Sequence, residues 1–279
     1  MILILGIKWN VSSQIIDGWN TPNLYGLLFV SGLIIGYYVI QRMFKSENIP
    51  EAWLDKLLIY MVLATILGAR LGHVFFYDWE YYSQHKNEIF KIWEGGLASH
   101  GGAIAILIAL YLYSKWVSKK SYWWILDRIV APVAIAGVFI RLGNLVNHEI
   151  IGDPTTMPWG FMFMHASPEY LMEVDGEWVQ VYRHPTQLYE ALGYLGLFFL
   201  LQWMFWKTKA KEYSGLIFGV FLIILFGWRI FVEFYKVGQT ARDEYLFLNT
   251  GQLLSVPFVL AGIAIVLLAL KKKLNRQGE

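Results

Sequence analysis

Apolar residues gather along this chain in seven long runs, at about 24–43, 56–77, 95–116, 122–146, 187–206, 214–235 and 250–270. A helix needs roughly 20 mostly apolar residues to cross a bilayer, so each run predicts a spanning helix. Lys and Arg in the connections set the orientation. Arg42, Lys45 and Lys56 follow the first run, Lys115, Lys119 and Lys120 the third, and Lys207, Lys209 and Lys211 the fifth, while Lys271, Lys272, Lys273 and Arg276 close the chain. The other side carries Lys8, Lys86, Lys91, Arg183, Lys236 and Arg242. This bias predicts an outside N-terminus and a cytoplasmic C-terminus, which suits an odd number of spans. Segment 1–23 is expected to lie against the outer face. The longest connection, 147–186, holds four prolines, and its DGEW at 175–178 reads as a hairpin turn between short strands. The expectation is an all-α polytopic membrane protein: four transmembrane helices within 24–146, a small periplasmic head at 147–186, three helices within 187–270, and a cytoplasmic tail at 271–279.

Composition agrees. The 279 residues are 57% hydrophobic and 16% charged, against about 25% charge in soluble domains. A net charge of +2 gives no reason to expect nucleic acid as a partner. With no cysteine, the chain can offer neither a disulfide, a zinc thiolate nor a thiol nucleophile. The opening MILILGIK is too short an apolar run for a cleavable signal peptide, so the first span is expected to serve as the targeting signal.

The polar residues within the runs share a depth. Counting along helices from the outer side, Tyr25, Arg70, His73, His100, Arg141, Asn144, Asn147, Gln187, Tyr189, Glu190, Arg229 and Glu233 all fall in the outer layer, and only Asp127–Arg128 lie near the inner end. An ionised side chain at the bilayer centre costs about 2.5–3.5 kcal/mol on insertion scales, and such groups usually line a cavity or pair with one another. Gathered in one layer they predict a shared polar cavity open to the outer leaflet. Arg141 and Asn144 share a helical face, as do Arg229 and Glu233. Gly95, Gly96, Gly101, Gly102, Gly143 and Gly152 flank these residues and permit close packing. Each group also has a plainer reading: Arg229–Glu233 as a structural salt bridge, His100 as a satisfied core histidine, Glu190 paired with Arg183 or Arg70, His73 as an interfacial side chain, His148 and Asp153 as head surface, and Asp127–Arg128 as an anchor.

LYGLLFVSG (24–32), GARLGHVFFY (68–77), WEGGLASHGGAIA (93–105), RLGNLVNHEIIGD (141–153), RHPTQLYEA (183–191), RIFVEF (229–234) and GQLLSVP (251–257) occur in that order. Together they resemble the prolipoprotein diacylglyceryl transferase family, from about residue 24 to 262. The resemblance implies seven spans in the bacterial inner membrane, with the N-terminus and head periplasmic and the C-terminus cytoplasmic. It implies transfer of a diacylglyceryl group from phosphatidylglycerol to the lipobox cysteine thiol of a prolipoprotein signal peptide, with a thioether formed and glycerol-1-phosphate released. This is the first step of lipoprotein maturation, and it needs no metal and no cofactor. The residues it carries over are Tyr25, His100, Arg141, Asn144, Asn147, Glu149, Gly152, Arg229 and Glu233. The chain departs from the family at Leu225, where many members have tyrosine, at Asp153, where arginine is common, and across 153–182.

The implied chemistry suits these side chains. The thiolate is the nucleophile and a free thiol has a pKa of about 8.5, so a base such as His100 would help. A departing phosphate ester wants fixed cations and hydrogen-bond donors. Arg141 and Arg229 are expected to supply them, with Asn144 and Asn147 orienting the headgroup. Glu149 and Glu233 would position the arginines or bind glycerol hydroxyls, and Tyr25 would donate to a lipid oxygen. A transporter and a lipid-binding scaffold remain as rival readings. An intramembrane protease would need GxSxG, paired intramembrane aspartates or HExxH, and the chain has none.

Overall fold

The computed structural model describes residues 6–16, 18, 22–91, 96, 98–238 and 248–277. In chain order it contains strand β1 (Ile7–Trp9), helices α1 (Leu24–Ser46), α2 (Glu51–Phe76), α3 (Trp79–Gln84), α4 (Ser99–Tyr113) and α5 (Tyr122–Val146), strands β2 (Phe161–Phe163), β3 (Met172–Val174) and β4 (Glu177–Val179), and helices α6 (Thr186–Lys207), α7 (Leu216–Glu233) and α8 (Thr250–Gln277). Six of these helices, and α4 together with the π turn that continues it to Ser118, are long and apolar enough to cross a membrane, giving seven spans among the described residues. Large apolar side chains point outward along them, Leu27, Val30 and Ile34 on α1 and Leu58, Ile59 and Leu63 on α2 among others. Outward apolar area of this extent suits a lipid environment.

Several ends differ from the sequence expectation for local reasons. α2 begins at Glu51, directly after Pro50, whose fixed φ suits a helix start. α4 begins only at Ser99, after Gly96 in a left-handed conformation and Ala98 in an extended one, and continues as a π turn over Ser114–Ser118. α8 runs through the terminal lysines to Gln277, because lysine is a good helix former. Gly95 and Arg242 lie outside the described residues.

The chain divides into two compact units, one of Met1–Val39 with Ile129–Glu279 and one of Ile40–Arg128. In the Ile40–Arg128 unit α2 packs on α4. Gly72 and Gly101 make the crossing close: a Cβ on Gly72 would lie 2.6 Å from the Gly101 Cα. Arg70 donates from Nε to the Ile89 carbonyl (2.8 Å) and from Nη2 to the Glu88 carbonyl (2.6 Å), tying down the chain after α3. Arg128 bonds the Glu47 carboxylate (Nε to Oε2, 2.7 Å) and the Trp124 carbonyl (2.7 Å) and stacks on the Trp124 ring, which makes it an anchor.

In the other unit α6 packs on α7 and α7 on α8. Ile135, Val138, Ala191 and Tyr194 form a buried cluster, with Leu225 and Trp228 against it. Leu225, where the family resemblance leads one to expect tyrosine, is a packing residue here. The α5–α6 connection builds a second cluster from Leu145, Ile151, Phe161 and Phe163, with Trp9 of the N-terminal segment packed on it. β1 and β2 pair in parallel, Ile7 opposite Phe161. β3 and β4 form an antiparallel hairpin, with Asp175 and Gly176 both at positive φ in its turn. Two left-handed residues match the right-handed twist of the strands they join.

Candidate active site

The end of α5 is where the polar residues begin to meet. Arg141 Nη1 donates to Asn144 Oδ1 (3.0 Å), and Asn144 Nδ2 donates to Glu149 Oε1 (2.7 Å). The charges at its two ends fix which way this amide points: oxygen toward the guanidinium, nitrogen toward the carboxylate. Asn147 Nδ2 adds a weaker contact to the same Glu149 oxygen (3.3 Å). Glu149 can fold back this way because His148 and Ile150 on either side of it take positive φ. Two residues opening α6 hold the bend in place, Thr186 Oγ1 donating to the Ile150 carbonyl (2.9 Å) and Gln187 Nε2 to the Glu149 carbonyl (2.6 Å).

One turn into α6, Glu190 is wholly buried and sits between two cations. Arg141 Nε stands 2.8 Å from Oε2, as an ion pair out of hydrogen-bond alignment, and Lys236 Nζ stands 3.1 Å from Oε1. Lys236 also reaches Glu233 Oε1 at 3.0 Å. Arg229 stands one helical turn before Glu233, its Nε 3.7 Å from the same oxygen. Asn249, just before α8, donates to the Glu233 carbonyl (3.1 Å) and to Oε2 (3.3 Å). Gly251 leaves room for that carboxylate, since a Cβ there would lie 2.6 Å from its Cδ.

The result is one continuous polar chain, Asn147–Glu149–Asn144–Arg141–Glu190–Lys236–Glu233–Arg229, crossing from the end of α5 over the start of α6 to the end of α7. From Arg141 to Arg229 cations and carboxylates alternate, and with Glu149 the chain holds three of each. Three buried polar atoms here have no hydrogen-bond partner among the described residues: Arg229 Nε, Gln187 Oε1 and Glu190 Oε2, the last held only by its ion pair. Unsatisfied buried groups are rare and call for a reason, and a bound polar ligand is one. The Arg229 side chain keeps 35% of its surface, more than any other member of the Arg141-to-Arg229 run.

The expected residues are accordingly distributed. Arg141, Asn144, Asn147, Glu149, Arg229 and Glu233 form the chain. Tyr25 packs its ring over Gly143, between Arg141 and Asn144 in sequence; a Cβ at Gly143 would lie 2.7 Å from the Tyr25 ring. Gly152 pairs with Lys236 in a bridge and with the His184 carbonyl through its N–H (3.0 Å), and a Cβ there would meet His184 at 2.7 Å, so its smallness serves close backbone approach. His100 belongs to the Ile40–Arg128 unit, exposed at the second residue of α4. Glu190 pairs with Arg141 and Lys236, not with Arg183 or Arg70. Arg183 instead donates to the Gly152 and Tyr170 carbonyls (3.2 and 2.7 Å), and burial pulls its pKa down. Lys236 is the member that sequence reading missed. It counts there as one more loop cation, although its i,i+3 spacing from Glu233 is a visible signal.

Seven apolar helices with a buried ionic chain across the ends of three of them define a multi-pass membrane protein with a charged site. Residues 16–268 match the family model described as prolipoprotein diacylglyceryl transferase. The chain is 46% identical to the phosphatidylglycerol–prolipoprotein diacylglyceryl transferase of Porphyromonas gingivalis, over 99% of both chains. It is 42% identical to that of Tolumonas auensis, over 95% of this chain and 98% of the relative, and 39% identical to that of Chloroherpeton thalassium, over 95% of both. The chain belongs to the prolipoprotein diacylglyceryl transferase family, and it is a transferase.

Proposed function

We propose that the protein transfers the diacylglyceryl group of phosphatidylglycerol to the lipobox cysteine of a prolipoprotein. The cysteine sulfur attacks the glycerol carbon that bears the phosphate. The carbon–oxygen bond breaks as the sulfur–carbon bond forms, glycerol-1-phosphate leaves, and the thiol proton passes to a base. One observation supports this beyond family membership: the Arg141–Glu190–Lys236–Glu233–Arg229 chain, which ends on the open and loosely paired guanidinium of Arg229. A headgroup phosphate would pair with that end, and a guanidinium can hold two phosphate oxygens at once. Asn144, fixed between Arg141 and Glu149, would orient the headgroup with Asn147. Glu233 would aim Arg229. Tyr25 would donate to a lipid oxygen, and Gly152 would keep the backbone close at the site. His100 is the base we propose. The Lys and Arg bias of the connections supports an inner-membrane protein with its N-terminus and α5–α6 connection periplasmic and its C-terminus cytoplasmic.

The test mixes purified protein, phosphatidylglycerol and a lipobox peptide, and follows the mass gain on cysteine and the release of glycerol phosphate. Arg141→Ala should abolish both while the protein still inserts and folds. Wild-type turnover by that variant would refute the site.

A further inference from the structure

A cavity of about 550 Å³ opens within the α5–α6 connection, with Thr155, Thr156, Met162, Met172, Gln180 and Tyr182 among its walls. Pockets that hold small ligands or side chains usually enclose about 300–1,000 Å³. We propose that this groove docks the extended polypeptide immediately C-terminal to the cysteine of the protein substrate. The inference rests on the transfer reading above and adds a second, separate contact surface to it.

Three observations carry it. First, the groove is joined to the charged chain by a short two-stranded ribbon. Gly152 N–H bonds the His184 carbonyl (3.0 Å), His184 N–H the Asp153 carbonyl (3.0 Å), and Thr155 N–H the Tyr182 carbonyl (2.8 Å). One end of this ribbon bridges to Lys236, and the other forms the groove walls. Gly152 to Thr155 is three extended residues, about 10 Å at 3.3 Å per residue. A substrate with its cysteine at the charged chain would therefore bring its third or fourth following residue to the groove. Second, four of the eight methionines in the chain, Met157, Met162, Met164 and Met172, fall within this connection. Methionine is flexible and polarisable, and surfaces built of it accept varied partners. Met162 and Met172 line the groove itself, and the transfer step places no demand on the sequence beyond the cysteine, so an adaptable grip of this kind suits that segment. Third, the β3–β4 hairpin that supplies Met172 to the groove wall is apolar and acidic together. Val174 and Trp178 are exposed, and Glu173, Asp175 and Glu177 stand exposed on the same hairpin. This hairpin would accept neutral or basic residues beside the groove and disfavour acidic ones.

The test compares two lipobox peptides on the full-length protein in phosphatidylglycerol-containing nanodiscs. One ends directly after the cysteine, and the other continues for six neutral residues. The longer peptide should show a KM roughly tenfold lower, about 1.4 kcal/mol. Met172→Asp should erase that advantage and leave turnover of the short peptide unchanged. Equal KM values on wild type, or an equal loss for both peptides in the variant, would overturn the groove. As a readout independent of turnover, a photoreactive group four residues after the cysteine should crosslink within 154–182. Crosslinks confined to other segments would also overturn the groove. If wild type modifies neither peptide yet the crosslink forms in 154–182, the docking surface stands and the transfer reading falls.

Discussion

Lys236→Met is the most informative single perturbation of the charged chain. Lys236 Nζ stands 3.1 Å from Glu190 Oε1 and 3.0 Å from Glu233 Oε1, so the two carboxylate oxygens lie no more than about 6 Å apart. At an effective dielectric of about 20, each contact is worth roughly 5 kcal/mol of attraction, and the two carboxylates repel by roughly 3 kcal/mol. Part of the attraction offsets the cost of burying these groups, and breaking a buried pair by removing one partner typically costs about 3–5 kcal/mol. Lys236→Met should destabilise the protein by that amount, and Lys236→Arg should retain most of the stability. The decisive measurement is a double-mutant cycle with Glu190→Gln, read by SDS titration of protein folded in mixed micelles. The two substitutions should couple by about 3 kcal/mol, the double variant losing much less than the singles predict together. Additivity within about 0.5 kcal/mol would show that Lys236 and Glu190 do not depend on each other, and the account of the site as one electrostatic unit would be wrong.

Two more outcomes follow from local geometry. His148 donates from Nε2 to the Val11 carbonyl (2.8 Å) and accepts the His165 N–H at Nδ1; burial, and to a lesser degree His165, hold its pKa below the ordinary histidine value, while the Val11 contact acts the other way. The tether of the N-terminal segment should therefore hold fully above about pH 6.5 and weaken as pH falls through the lower folded value. Hydrogen-exchange protection over residues 6–16, taken relative to the intrinsic exchange rate at each pH, should fall on acidification in wild type and stay level in His148→Gln; an equal fall in both would remove His148 from the account. Gly251→Ala would push a methyl group against the Glu233 carboxylate, and transfer should fall by up to about a hundredfold, the penalty of a shift of about an ångström at a reacting site, with insertion unchanged; full activity would mean that the position of Glu233 does not matter.

Features carried by local spacing were legible in the sequence. The seven spans, the Asp175–Gly176 turn, the Arg141–Asn144 face and the Arg229–Glu233 pair all follow from periods of a few residues. What the sequence concealed is pairing between distant segments. Nothing in IKW and FMF announces that they join as a parallel pair. Nothing near Glu190 says which cations will reach it, and the nearest arginine in sequence, Arg183, turns instead to backbone carbonyls. Depth counting also placed His100 in this layer; it stands at the second residue of α4, within the Ile40–Arg128 unit. Lys236 was hidden because it follows an apolar helix and reads there as one more cation of an outer connection.

The alternation of charges explains how so many ionised groups can share one layer. An isolated carboxylate buried as deeply as Glu190 would be too costly to keep charged, and a single cation beside it would leave one oxygen unanswered. Arg141 and Lys236 between them answer both. Lys236 then passes the balance to Glu233, and the series ends on Arg229, whose pairing is the loosest of the chain. Each interior member is fixed from two sides, so only the terminal guanidinium has a face to give. A phosphate group arriving there would extend an alternation already in place. The buried charges would then need little rearrangement to receive a lipid headgroup, and a preorganised array of this kind stabilises developing negative charge without reorganising when the reaction occurs.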